Sequence, residues 1–192
     1  FAKRLQQLLE KNIEFNGSNV QQMKSAGPAI LAEVDEALAD YFGDYEVFSS
    51  EEMLYVPIED FNIFFKGFVD AVVKVGDTYH LFDWKTCSWG WDARKKAEKL
   101  VTYQLTLYKH FFCQKHKIDP SKVETHFALL KRTAKKDRVE IFRVTSGPKK
   151  TENALKLLYQ AIYNITKRFT IKNRLSCHKP YPCKLLNTEH CP

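Results

Sequence analysis

A chain of 192 residues with 44% hydrophobic and 14% aromatic content can bury one sizeable core, so a single compact domain is expected. No apolar run approaches the roughly 18 residues a membrane helix needs, which predicts a soluble, intracellular protein with no membrane partner. The formal charge of +7 is uneven: residues 1–100 hold 11 Lys/Arg against 17 Asp/Glu, and residues 101–192 hold 19 against 6. That pattern suits a metal centre beside a surface for polyanions, or else a solvated basic face.

In chain order, residues 1–12 suit an amphipathic helix and NGSN at 16–19 a turn. A second helix is expected from Pro28, with Ile30, Leu31, Val34, Leu38 and Phe42 as its apolar stripe, stopping at Gly43. The period then changes. YEVFSS, MLYVPI, NIFFKGFVDAVVKV and TYHLFDWKTC are rich in aromatic and β-branched residues and read as strands, the last two joined by a tight turn at Gly76-Asp77. Helical spacing returns from about Ala93 to His116, followed by two strands, VETHFALLKRT and RVEIFRVTS, around the turn AKKD. A helix over 148–171 and an irregular tail complete an α/β fold with a mixed central sheet flanked by helices. The main domain is placed at 1–175, with a Cys/His-containing tail at 176–192 packed on it.

Within LFDWKTC, alternation along a strand puts Asp83 and Lys85 on one side and Trp84 on the other. The hairpin through Gly76-Asp77 lays Asp70, inside the apolar run GFVDAVV, beside Asp83. Two converging carboxylates repel unless a cation lies between them, and hard oxygen donors suit Mg²⁺. A surface ion pair or a cross-strand Asp70–Lys85 bridge is the plainer alternative. On the 93–116 helix, Gln104 interrupts the apolar stripe between Leu100 and Tyr108, and a buried amide must find partners. In the loop SWGWDARKK, Trp89 and Trp91 stand beside Arg94, Lys95 and Lys96, a mixture that suits stacking on unpaired bases, although the tryptophans equally suit anchoring the loop. Lys131 and Arg132 are further candidates for gripping DNA, as are Lys135, Lys136, Arg138, Lys149 and Lys150.

GFVD, FDWK and QLTLY, in that order across residues 67–108, resemble motifs II, III and IV of the PD-(D/E)XK nuclease superfamily in its RecB-like exonuclease branch. The compact, phage-like form is the favoured subtype, similar to the CRISPR-associated RecB-like and mitochondrial genome maintenance exonucleases. The resemblance implies a restriction-endonuclease-like core and a DNA nuclease dependent on Mg²⁺ or Mn²⁺, an exonuclease acting on ends or single strands. It implies that Asp70 and Asp83 bind metal with the Trp84 carbonyl, that Lys85 orients the attacking water, and that Gln104 and Tyr108 position the DNA backbone or Lys85. The family's additional acid falls on Glu51 or Glu52. Its early histidine and glutamate fall on Leu31 and Asp35, with Glu33 as an alternative to Asp35; the leucine is a departure from the pattern. DNA is the implied partner, alongside other replication or recombination proteins, in the cytoplasm or a host's cytoplasm. A DNA-binding module that has lost catalysis and a site-specific endonuclease remain the alternatives.

Five cysteines without an export signal argue against a disulfide scaffold. Cys87 and Cys113 are expected to be core thiols. Cys177, Cys183 and Cys191 accompany His178 and His190 in the tail, where the resemblance suggests a structural 4Fe–4S cluster and the residues alone allow Zn²⁺.

Overall fold

The computed structural model describes residues 17–59, 61–169, 183 and 188–189. Helix α1 spans Gly17–Phe42 and carries Pro28 inside it, so the expected start at Pro28 is corrected and Gly17–Asn19 are helical instead of forming a turn. Proline at that point removes one backbone donor. Burial of Ala26 before it and Ile30 after it, in a stripe that continues to Val34 and Leu38, holds the helix together regardless. Leu31 is exposed and leaves the expected stripe. The helix ends at Gly43, whose φ of +69 suits glycine and whose N–H donates to the Ala39 carbonyl at 2.7 Å. The helix expected over 1–12 lies outside the described residues.

Strand β1 (Glu46–Ile58) joins two segments expected to be separate, running on through Glu51-Glu52, and carries an irregularity between Val47 and Ser49. It pairs antiparallel with β2 (Ile63–Val75), which turns at Gly76-Asp77 into antiparallel β3 (Thr78–Cys87), as the alternation predicts. The single helix expected over 93–116 is two: α2 (Ala93–Lys96), capped by Asp92, and α3 (Lys99–His116). α3 buries Thr102, Leu105, Thr106 and Phe111–Cys113, whereas Leu100 is exposed, so its apolar face is rotated from the expected one. The crossover through α3 brings in β4 (Val123–Lys131) parallel to β3, and β5 (Val139–Arg143) adds antiparallel to β4.

The sheet order β1-β2-β3-β4-β5 makes this an α/β fold with a mixed five-stranded sheet. On one face Leu38 of α1 packs on Val73, Phe82 and Ala128; on the other, Leu105 of α3 packs on Phe127 and Val144. β3 and β4 are therefore covered on both sides. Helix α4 (Pro148–Thr166) carries the boundary between two compact units, Phe1–Ala154 and Leu155–Pro192. Of the tail, only Cys183, Thr188 and Glu189 are among the described residues. No described helix is long and apolar enough to cross a membrane.

Candidate functional site

The β2–β3 ladder runs from Val75 opposite Thr78 to Ala71 opposite Phe82. At its end the Asp70 carboxylate accepts the Trp84 backbone N–H at 2.7 Å, so a side chain takes over the bond that the ladder gives up. One residue back along β3, Asp83 is only 3% exposed. Its Oδ1 accepts from Gln104 Nε2 at 2.8 Å, and its Oδ2 lies 2.5 Å from Lys85 Nζ. That second contact is a close ion pair, and the Lys85 ammonium is the main group opposing the cost of burying this carboxylate.

Gln104 is the joint of this network. Its Oε1 accepts from Lys85 Nζ at 3.2 Å, while Nε2 donates both to Asp83 and to the Tyr108 hydroxyl at 3.1 Å. The opposite amide orientation would set an NH₂ against an ammonium and an oxygen against a carboxylate, so the network fixes which way it points. The buried amide that looked anomalous in the sequence is thus fully used, although it lies half-buried and without Leu100 beside it. Lys85 Nζ also stands 5.8 Å from the centre of the Phe127 ring.

A glycine makes this approach of α3 to the sheet feasible. A Cβ on Gly67 would lie 3.0 Å from Tyr108 Cε1 and 3.2 Å from Phe65 Cε1. Any side chain there would push away the tyrosine that steadies Gln104.

Burial pushes the Asp83 carboxyl above the usual carboxylate range; the nearby Asp70 charge adds to this and Lys85 opposes it. A buried carboxylate close enough to feel the charge of a second acid is a pair of hard oxygen donors that fits a divalent cation.

Other residues singled out in the sequence are placed as follows. Glu51 is exposed in β1 with a φ of +51. Glu52 is committed to Lys115 at 2.7 Å and His116 at 2.8 Å, and these donors hold its carboxyl below the usual range despite burial. Asp35 is exposed on α1, while Glu33 grips Arg138 through both its backbone N–H and its guanidinium. The Trp84 ring stacks on Phe82.

The loop tryptophans separate. Trp91 packs on Phe127 and Phe142, at ring separations of 5.2 and 6.2 Å, and anchors the loop, whereas Trp89 is 76% exposed. Arg94 is exposed, and Lys95 turns back to Glu98 and the Trp91 ring. Lys131 pairs with Glu140 across β4 and β5, and Arg132, just past β4, bonds Ser88 and braces the loop. Cys113 is buried, its thiol pushed up to about 11, and Cys87 is half-buried; Cys183 is exposed, and Cys177 and Cys191 lie outside the described residues.

Sequence reasoning overlooked Lys99 and Arg143. With Lys96, Lys149 and Lys150 they line a groove of about 810 Å³ beside α3, which only the folded chain assembles.

The family profile described as the PD-(D/E)XK nuclease superfamily matches residues 2–192. A solved structure of a candidate exonuclease from Eubacterium rectale is similar over 88% of this chain, at 15% identity and a TM-score of 0.54; this chain spans 59% of that one. The structure of SSO0001 matches over 79% of this chain and 63% of its own, at 14% identity and a TM-score of 0.43. No curated protein matches the sequence.

Proposed function

Because the chain belongs to the PD-(D/E)XK nuclease superfamily, we propose that it is a Mg²⁺- or Mn²⁺-dependent deoxyribonuclease, working from DNA ends or on single strands as an exonuclease. The observation that carries this reading is the convergence of Asp70, Asp83, Lys85 and Gln104 at the end of the β2–β3 ladder. Asp70 and Asp83 would hold the ion, with the Trp84 carbonyl between Asp83 and Lys85 in the chain as a further donor. When bound, such an ion neutralises the phosphate and makes a bound water acidic enough to attack at neutral pH.

The protein's own groups do the positioning. Lys85 offers its ammonium to the attacking water and to the charge that develops on the scissile phosphate. Gln104 holds that ammonium beside Asp83, and Tyr108 holds Gln104. The exposed Trp89 offers a face for an unpaired base. The RecB-like branch and phage-type subtype belong to the same proposal, as does an intracellular role in recombination, repair or replication.

The test is degradation of end-labelled linear and covalently closed circular DNA with Mg²⁺, Mn²⁺ or chelator. Linear DNA should be degraded only with metal, and Lys85→Ala or Asp83→Ala should each reduce kcat on the order of 10²–10³-fold, the usual cost of losing one group that stabilises the transition state. Unchanged activity in both variants would remove the assignment, and equal cutting of closed circles would make the protein an endonuclease. Two observations favour a second reading, a DNA-binding module without catalysis: Glu52 is held by Lys115 and His116, and Asp35 stands exposed on α1. Tight, salt-sensitive DNA binding with no cleavage in any divalent metal would select it.

A further inference from the structure

On the opposite face of β3 and β4 from Asp83 lies a second polar cluster, which the sequence does not announce because its members are far apart in the chain. The parallel register sets His80 opposite Glu124 and Phe82 opposite His126. The cluster is covered by α1, with the Phe42 ring 4.7 Å from that of His80 and 5.4 Å from that of His126. His80 is 8% exposed and His126 only 1%.

Three atoms converge. His80 Nδ1 and His126 Nε2 are 3.0 Å apart, and Glu124 Oε2 is 3.7 Å from the first and 3.9 Å from the second. The carboxylate is steadied from its other side by Arg143, 2.8 Å from Oε1. The distances to Oε2 are too long for direct hydrogen bonds. They leave room for one ion among the three atoms: the circle through points so separated has a radius of about 2.1 Å, so an ion near its centre would lie at the length of zinc bonds to imidazole and carboxylate, close to the plane of the three donors.

The two facing imidazole nitrogens share one hydrogen in this pair, and a metal ion would take up both lone pairs in its place. Both rings are buried beneath α1, and the neutral ring is the form that donates a lone pair to a metal.

We propose that His80, Glu124 and His126 form a structural zinc site, two imidazoles and one carboxylate on the parallel strand pair, with water as the remaining ligand. Imidazole donors select Zn²⁺ and its late transition-metal neighbours over Mg²⁺, so this site is chemically distinct from the Asp70–Asp83 pair. Water and metal would enter past Glu124, which is half-buried rather than buried. The ion would cross-link β3 to β4 directly behind the residues proposed for cleavage.

The test uses the tag-free full chain, stripped with chelator, then given Zn²⁺ or Co²⁺ and dialysed against Mg²⁺. Elemental analysis should find one tightly held Zn²⁺, zinc should raise Tm, and Co²⁺ should give visible bands without an intense thiolate charge-transfer band. Glu124→Gln, which leaves the buried rings in place, should weaken zinc at least about tenfold, the usual loss for a disturbed ligand shell, and abolish the Tm rise. His126→Gln should do the same, and Glu124→Gln decides alone if that variant does not fold. Asp83→Asn should retain the zinc. Failure of the wild type to hold zinc, zinc held equally by Glu124→Gln, or a thiolate signature tracing the ion to cysteines would each overturn the proposal. None of these readouts depends on nuclease activity.

Discussion

Two tryptophans, two positions apart in one loop, have opposite surroundings. Trp91 sits among Phe127, Phe142 and Val101 on the α3 face, so Trp91→Ala should lower unfolding free energy by about 3 kcal/mol in chemical denaturation, at the low end for a large aromatic because the ring is only partly buried. Trp89→Ala should change stability by less than about 0.5 kcal/mol while weakening single-stranded oligonucleotide binding roughly tenfold, the value of one stacked base. A reversal of these effects between the two variants would contradict the placement. The sequence could not separate the two tryptophans, because each stands in the same run of aromatics and cations and only the packing of Phe127 and Phe142 on one of them distinguishes the pair. Asp70, Asp83 and Lys85 were legible for the opposite reason: strand alternation and one short hairpin suffice to bring them together. The contacts of Glu52 with Lys115 and His116 were not legible, since those residues arrive from the far end of α3.

Helix α1 is tied to the turn before β5 by one carboxylate. Glu33 accepts from the Arg138 backbone at 2.7 Å and from its guanidinium at 2.6 Å, and these bonds hold its carboxyl below the ordinary value of 4.5. A carboxylate with a lowered folded pKa contributes stability above its unfolded pKa and loses it as pH falls through the folded one. Glu33→Gln should therefore lower Tm at pH 7, and the gap to wild type should close as pH is brought below about 4. Melting curves across that range check this; a gap that stays constant would mean that shape rather than charge is responsible. At this scale the sequence identified most elements and misjudged their ends. Pro28 looked like a start because proline favours the first helical turn, but burial of its neighbours carried the helix through it. The acidic pair Glu51-Glu52 made one strand read as two, and Ala97-Glu98 divided a continuous helical pattern because Asp92 caps a separate short turn.

Across the whole chain, the surplus of cations in the second half is gathered partly into a groove, and several of its members already face acids: Lys96 with Glu140, Arg143 with Glu124, Lys149 with Glu152. Lys99, exposed at the start of α3, is five residues from Gln104, about 7.5 Å along the helix axis. Lys99→Glu should weaken single-stranded DNA binding uniformly across sequences and make the slope of log K against log salt shallower by about 0.7 for the lost phosphate contact. Fluorescence anisotropy at several salt concentrations measures this, and an unchanged slope would place DNA elsewhere. The fold class was readable from the order of helices and strands, whereas the parallel joining of β3 to β4, which brings His80 to His126 across 46 residues, follows from no local pattern. That strand pair is greasy on both sides, and a stripe that is apolar whichever way it faces gives the chain little reason to prefer one alignment over its neighbour. The acid and ammonium on one side and the paired imidazoles on the other remove that ambiguity. Sliding β3 by a single residue would turn Asp83 and Lys85 under α1, and sliding β4 would turn Glu124 and His126 beneath α3, so the same polar side chains that suit chemistry also act as alignment pins for the sheet.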